Sequence, residues 1–174
     1  MLQTVILFFS HPFFVIVGGL TTVSAIAGAA YTLYLVIKGV FPVWVRLGLG
    51  LSKREIAVFA EGEYVNLRNI LVDSGIFKAK NIKKIDKQLI KKAESISLLL
   101  VHWKCFESEI DSILAIKRYS DALIIYAPQH EGFIDKDILS KINAQPNSII
   151  VNFRGRLLND ILTSIITTSY SKKK

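Results

Sequence analysis

A long apolar segment near the start of the chain decides how the rest is interpreted. Residues 13–37 read FFVIVGGLTTVSAIAGAAYTLYLVI, and the first charged residue in the chain is Lys38. As a helix, these residues would extend roughly 37 Å at about 1.5 Å each, whereas the hydrocarbon core of a bilayer is about 30 Å thick. The segment therefore predicts a transmembrane helix, which we place within residues 1–38.

Charges on either side of this segment predict its orientation. The first ten residues contain no Lys or Arg, whereas Lys38, Arg46, Lys53 and Arg54 follow the segment. A secretory signal peptide would instead have a basic start, a shorter apolar core and a cleavage site of small residues. Because positive charge is retained on the inner side, we expect a single-pass protein of the bacterial inner membrane with its C-terminal domain in the cytoplasm.

Small residues recur along one side of the apolar segment. A spacing of three or four residues places them on one helical face, which consists of Gly18, Thr22, Ala25, Ala29 and Thr32. Small side chains let neighbouring membrane helices approach closely, although glycine and alanine are also tolerated in contact with lipid. We expect this membrane or pore face to support a homo-oligomer, a tetramer or a similar ring.

Residues 39–53 are apolar but differ from a second membrane span. Pro42 and Arg46 lie within them, together with several glycines, and the stretch is too short to cross a bilayer. The Trp44 ring and the Arg46 guanidinium suit the headgroup level of a membrane. We therefore interpret residues 39–53 as an interfacial elbow.

From residue 54 onward, short hydrophobic runs alternate with helical patterns, which is typical of a parallel α/β sheet. The fold class predicted for the whole chain is α/β, with an N-terminal transmembrane helix followed by a small doubly wound, Rossmann-like domain at residues 54–174. Strands are expected at 55–60, 96–101, 122–127 and 148–152, with a short edge strand within 76–85. A helix capped by Asp86 and a closing helix from about Leu157 to Ser169 are also expected.

Ligands of open parallel sheets bind outside the carboxyl ends of the strands. The most specific pattern there is NFRGR at residues 152–156, where a strand meets a helix N-terminus and two arginines could hold phosphate. Aromatic rings could stack on a base. The candidate ligand-binding residues are Asn152, Phe153, Arg154, Arg156, Trp103, His102 and His130. The alternative is that Arg156 pairs with Asp160 while Arg154 is solvated.

The sequence supports no specific catalytic, metal or cofactor site. It contains neither a Walker A motif nor a G-x-G-x-x-G motif. Acid–base roles are conceivable for the two later histidines with nearby glutamates, and a nucleophilic role for Cys105, but the spacing fixes no mutual geometry. We therefore assign no catalytic residue, metal or cofactor and favour a protein that is not an enzyme.

A cluster of lysines points to anionic partners. Residues 54–174 carry 19 Lys and Arg against 14 Asp and Glu. Seven of these lysines lie within residues 78–92, where Asp86 is the single acidic residue. Next to a membrane, such a cluster most often binds anionic lipid headgroups; nucleic acid and a plain solvated surface are the second and third interpretations.

Two resemblances extend this interpretation. The stretch WKCFESE at residues 103–109 resembles the strand-to-helix region of TIR domains, in which a tryptophan–cysteine pair precedes a glutamate. Resemblance to TIR NAD-cleaving enzymes implies that Glu107 or Glu109 is a catalytic carboxylate. The overall layout is similar to that of membrane effectors of bacterial antiphage defence, such as those of CBASS, CRISPR-linked and Hailong systems. That resemblance implies a domain that senses a nucleotide or oligonucleotide made by a nucleotidyltransferase, and an oligomeric membrane part that breaches the inner membrane.

Three functions follow as hypotheses. The leading one is an oligomeric membrane effector whose cytoplasmic domain binds a nucleotide or oligonucleotide and thereby gates an ion-conducting assembly. The second is a membrane-tethered NAD-cleaving enzyme with a carboxylate among Glu61, Glu63, Glu107 and Glu109. The third is a membrane anchor carrying a non-catalytic interaction module.

Overall fold

The computed structural model describes residues 11–45, 48 and 54–168. The chain divides into two compact units, Met1–Arg46 and Leu47–Lys174.

The first unit contains one long helix. Helix α1 spans Pro12–Leu35 and continues through a π-helical segment, Val36–Val40, and residues 41–45. Over Pro12–Val45 it has 34 residues and is long and apolar enough to cross a membrane. Its threonine hydroxyls donate to carbonyls of the preceding turn, as the Thr22 Oγ1 does to the Gly18 oxygen at 2.7 Å.

The helix does not end where the sequence suggested an elbow. Pro42 has no N–H to donate, and its ring would crowd the carbonyl four residues earlier in a regular α-helix. The wider π-helical turn directly before it accommodates that ring, so the helix continues to Val45. The first part of the expected elbow at 39–53 is thus helical, and residues 46, 47 and 49–53 lie outside the described residues.

The second unit is an α/β domain built on a parallel sheet, as the sequence predicted. Its strands are β1 (Ile56–Phe59), β2 (Ile82–Lys84), β3 (Leu98–His102), β4 (Ala122–Tyr126) and β5 (Ser148–Val151). The spatial order is β2-β1-β3-β4-β5, and every neighbouring pair is parallel. The three central strands are fully buried because both of their faces are covered.

Helices cover both faces of this sheet. They are α2 (Tyr64–Asp73), α3 (Trp103–Phe106), α4 (Ile110–Ile116), α5 (Lys136–Asn143) and α6 (Arg154–Thr167), with 3₁₀ turns at Ala79–Asn81, Lys87–Ser95, Glu107–Glu109 and Gln129–Glu131. One buried cluster packs α2 and α6 against the sheet, and a second packs α4, α5 and the Lys87–Ser95 turn against the opposite face. The domain is therefore doubly wound.

Local signals at element ends had mixed outcomes. Gly75 follows α2 with φ of 70°, the left-handed conformation expected of a glycine that terminates a helix. Asp86 makes no capping hydrogen bond, and its carboxylate instead contacts the Lys84 Nζ at 2.9 Å. Helix α6 begins at Arg154, three residues before the expected start at Leu157, so both arginines of the NFRGR stretch lie in its first turn.

Arg54 ties together the amino ends of the strands. Its side chain is 1% exposed and lies just before β1. The guanidinium donates to the Ser97 Oγ at 2.9 Å, to the Ile165 oxygen at 3.0 Å and to the Thr168 Oγ1 at 2.7 Å. Because Ile165 and Thr168 lie at the C-terminal end of α6, Arg54 fixes that end to the sheet.

Candidate functional site

The strand order creates a topological switch point between β1 and β3. After β1 the chain crosses to β2 on one side, and β3 then begins on the other side of β1. The loops that leave the carboxyl ends of β1 and β3 therefore diverge, and such a switch point is where open α/β sheets bind ligands. We call the end of the sheet where the carboxyl ends of all five strands lie the carboxyl edge.

A histidine lies at the centre of the carboxyl edge. His102 is the last residue of β3 and is 2% exposed. Its Nδ1 lies 3.1 Å from the Cys105 Sγ, and its Nε2 lies 3.0 Å from the Glu131 Oε2. Its ring also contacts that of Tyr126, with 5.8 Å between ring centroids. The imidazole thus bridges a thiol of α3 and a carboxylate of the loop after β4.

The contact between His102 and Glu131 is close but not an aligned hydrogen bond. Nε2 and Oε2 are both buried, and neither has a hydrogen-bonding partner within the described part of the chain. Nε2 and Oε2 are 3.0 Å apart, so the two groups are in close polar contact without a hydrogen bond. Active-site contacts are often misaligned before a ligand binds, so this geometry suits a site that tightens on ligand binding.

The electrostatics of Tyr126 show which other groups converge here. Burial raises the pKa of the Tyr126 phenol above its ordinary value, and the positive charge of Arg154 opposes that rise. Glu63 and Glu131 reinforce it, because a phenolate is repelled by nearby carboxylates. Charged groups that follow β1, β4 and β5 therefore all act on Tyr126, at the end of β4.

The first turn of α6 lies at this edge without a side-chain cap, and the Arg156 N–H donates to the Phe153 oxygen at 3.1 Å. Phe153, at its N-cap, provides no capping side-chain hydrogen bond, and the first turn contains no acidic residue. Arg154 and Arg156 are exposed. Among the described residues Arg154 forms no hydrogen bond or ion pair, whereas the Arg156 Nη2 lies 3.8 Å from the Asp160 Oδ1. This pairing, with Arg154 solvated, is the alternative that the sequence allowed. Because the separation is long and the Arg156 side chain is 69% exposed, the ion pair contributes little free energy and leaves Arg156 accessible to an anion.

A shallow hollow adjoins the loop that carries Glu131. Its volume is about 160 Å³, and its lining is mostly apolar: Ala127, Gln129, Gly132, Phe133, Ile134, Leu139, Ile150 and Asn152. The Phe133 side chain is 93% exposed. Gly132 has φ of 106°, which a residue with a side chain rarely adopts, so this loop depends on its glycine to turn.

The structure places the seven predicted ligand residues in two groups. Asn152, Phe153, Arg154 and Arg156 are exposed together at the start of α6, and the His130 side chain is 80% exposed on the neighbouring loop. His102 and Trp103 are each 2% exposed. The Trp103 ring belongs to the core cluster on the α4 and α5 side, so it offers no free face on which a base could stack. The remaining assignments stay predictions.

Sequence reasoning missed part of this site. It did not single out Tyr126, although the register pairs it with His102 at the ends of neighbouring strands, and aligning the strand ends would have found it. It gave equal weight to four glutamates. Of these, Glu63 interacts electrostatically with Tyr126, whereas Glu109 contacts the Lys87 Nζ at 3.7 Å and accepts from the Ser108 hydroxyl at 2.9 Å.

The lysine-rich segment is only partly neutralised. Three of its seven lysines contact carboxylates: Lys83 with Glu55, Lys84 with Asp86 and Lys87 with Glu109. The others, Lys78, Lys80, Lys91 and Lys92, are exposed. The segment includes β2, which is the outer strand at one end of the strand order, whereas β5 is the outer strand at the other end. The segment therefore lies away from β5.

No protein-family model, curated protein or solved structure matches this chain. Its function is therefore inferred from its own geometry.

Proposed function

We propose that this protein is a homo-oligomeric membrane effector whose cytoplasmic α/β domain binds a nucleotide or oligonucleotide at the carboxyl edge. Binding would gate an ion-conducting or membrane-disrupting assembly in the bacterial inner membrane, in antiphage defence. The observation that carries the proposal is the first turn of α6, where Arg154 and Arg156 are exposed at a helix N-terminus that no side chain caps.

Three properties of this turn suit a phosphorylated ligand. Free N–H groups and the helix dipole favour an anion at the N-terminus of a 14-residue helix. Arginine can donate two parallel hydrogen bonds to phosphate. The Phe153 side chain is 56% exposed beside them, which leaves its ring free to stack on a base.

The properties of α1 support the membrane part of the proposal. Large apolar side chains project from it without cover, including Leu20 at 69% and Ile26 at 65% exposure. Gly18, on the small-residue face, has no heavy atom within 4 Å of where a Cβ would lie. Nothing within the described part of the chain therefore requires glycine there, whereas close packing against another copy of the helix would.

Helix α6 links the proposed ligand site to the amino ends of the strands within the domain. It begins at the carboxyl edge and extends roughly 21 Å at about 1.5 Å per residue. Its far end is held by Arg54, close to where the chain enters the domain. A ligand can shift a gate only if it binds one state more tightly, and a displacement of α6 would distinguish the states at both ends.

The ligand site can be tested by fluorescence anisotropy with the full-length protein in detergent. The probes are a labelled short oligoadenylate, ATP and NAD, the unlabelled compounds being used as competitors. The R154Q/R156Q variant should bind at least about tenfold more weakly, because each charge-assisted hydrogen bond contributes roughly 1.5–3 kcal/mol.

The matched control is K136Q/K141Q, which removes two exposed positive charges from α5 instead. It should bind like the parent protein. Equal loss in both variants would show that only net charge matters, and unchanged binding in R154Q/R156Q would refute the site. Release of nicotinamide from NAD would favour the enzymatic alternative.

The assembly can be tested separately in liposomes. The G18L variant should weaken oligomers seen by native mass spectrometry and reduce ligand-dependent ion flux, because leucine would hold neighbouring helices apart. G19L is the matched control, since Gly19 is equally unobstructed but lies off the small-residue face. A monomeric parent protein without ion flux would contradict the effector proposal and favour a simple anchor.

A further inference from the structure

Cys105, His102 and Glu131 form a connected series of groups that phosphate binding by Arg154 and Arg156 does not explain. The thiol lies 3.1 Å from Nδ1 of the imidazole, and the carboxylate lies 3.0 Å from Nε2. Nucleophilic side chains are activated by this arrangement, in which a nucleophile contacts a base and the base contacts a group that orients it. His102 and Cys105 are three residues apart at the junction of β3 and α3, whereas Glu131 lies 29 residues from His102, so local sequence spacing does not account for the whole series.

We propose that Cys105 is a nucleophilic thiol that forms a covalent bond with small carbon electrophiles, with His102 accepting its proton and Glu131 orienting the imidazole. Arg154 and Arg156, which carry the proposed phosphate contacts, have no part in this proposal, whereas His102 and Glu131 lie at the same carboxyl edge.

The neighbours of His102 assign its tautomer. A carboxylate beside Nε2 favours a proton on that nitrogen, which leaves the lone pair of Nδ1 facing the Cys105 thiol. The thiol proton can therefore move to Nδ1. The resulting imidazolium lies between a thiolate and a carboxylate, and both stabilise its charge because the ring is buried.

The covalent step is balanced without any further component. The Cys105 Sγ forms a bond to the electrophilic carbon while the bond from that carbon to its leaving group breaks. The leaving group departs with the bonding electrons, and the thiol proton stays on the His102 ring or is transferred to the leaving group. No electron donor or acceptor is needed.

Access to the thiol is consistent with this role. Cys105 is partly exposed, whereas the neighbouring Trp103 and Phe106 side chains are buried. It is also the only cysteine in the chain. A mass increase after alkylation of the intact protein therefore reports on Cys105 alone.

Alkylation with iodoacetamide tests the proposal in the full-length protein. An ordinary cysteine reacts roughly fifty-fold more slowly at pH 6.5 than at pH 8.5, because so little of it is thiolate at the lower pH. The alkylation rate of Cys105 should fall by less than about fivefold between pH 8.5 and pH 6.5, since His102 accepts the thiol proton. The C105S variant should show no mass increase.

The variants separate activation from a merely structural histidine. E131Q preserves the size of the side chain and should restore the steep pH dependence of an ordinary thiol. D137N removes the same charge from an exposed position nearby and should behave like the parent protein. H102Q should also restore the steep dependence; should it fail to fold, E131Q alone decides.

Two results would overturn the proposal. One is a steep pH dependence in the parent protein, which would mean that the thiol is not activated. The other is a shallow dependence that E131Q and H102Q leave unchanged, which would mean that these two residues do not cause it.

Discussion

At one end of α6 an arginine is buried and fully bonded, whereas at the other end two arginines are exposed and available. Arg54 is 1% exposed and donates to three groups at the amino edge of the sheet. Arg154 and Arg156 project from the first turn of α6 at the carboxyl edge, and Arg156 has only a long contact with Asp160. The same residue type thus stabilises the fold at one edge and remains free for a ligand at the other.

Two other cations at the amino ends of the strands, which we call the amino edge, are also held by protein groups. The Arg118 Nε and Nη2 donate to both oxygens of Asp121 at 2.9 and 2.8 Å. The Asp121 carboxylate is 1% exposed and raises the pKa of Arg118. Lys117 donates to the Pro146 oxygen at 2.7 Å. Cations that are held this firmly fix the ends of strands and cannot recruit a ligand.

The largest expected effect comes from removing Arg54. The R54A variant leaves the Ser97 hydroxyl, the Thr168 hydroxyl and the Ile165 carbonyl without their donor, so the free energy of unfolding should fall by roughly 3–5 kcal/mol. Urea unfolding of the full-length protein in detergent, followed by tryptophan fluorescence, measures it. The free energy of unfolding of R54K should lie between those of R54A and the parent protein, because an ammonium cannot reach all three groups.

The contrasting variant is R154Q/R156Q. Exposed substitutions that break no buried contact usually change stability by less than about 0.5 kcal/mol. The same unfolding measurement should therefore leave this variant close to the parent protein. A loss comparable with that of R54A would show that the carboxyl edge, too, is built for stability, and the contrast between the edges would fail.

A smaller effect should appear in the pH dependence of stability. Burial lowers the pKa of Lys117 from 10.5. Between the lowered value and 10.5 the unfolded chain binds more protons than the folded one, so this group makes stability rise with pH in that window. The rise should be smaller in K117Q, as thermal unfolding between about pH 8 and pH 10 would show. An identical slope in K117Q would contradict the assignment.

The smallest effect tests the geometry of the carboxyl edge. Since the charge of Arg154 counteracts the raised pKa of Tyr126, R154Q should raise that pKa further. Ultraviolet titration of phenolate absorbance measures the change, with Y126F identifying the contribution of this tyrosine among the six. R156Q is the control and should leave the titration unchanged. Equal shifts in both variants would mean that Arg154 does not lie beside the phenol.

Much of the fold could be predicted from local patterns. Continuous hydrophobic runs marked β3 and β4 because both faces of a central parallel strand are buried, and the left-handed Gly75 marked the end of α2. The continuation of the first helix past Pro42 could not be predicted, since proline is a local breaking signal that the preceding π-helical turn accommodates. Where a helix tolerates a breaker depends on backbone adjustments that residue types do not encode.

The candidate site was predictable in position but not in detail. Parallel topology alone places the loops after the strands at one edge, and the NFRGR stretch was found there. The contact of His102 with Glu131 joins residues 29 apart in sequence through packing, so no spacing rule indicates it. Trp103 could have been placed correctly, because it continues the buried alternation of Leu99 and Val101.

Hydrogen–deuterium exchange of the full-length protein in detergent, with and without a short oligoadenylate, tests the central claim most directly. We predict slower exchange in residues 152–158, where the first turn of α6 would bind phosphate, and in the loop at residues 128–133. Exchange in the lysine-rich segment at residues 78–92 should not change. Protection confined to that segment, or no protection anywhere in the domain, would contradict a nucleotide site at the carboxyl edge.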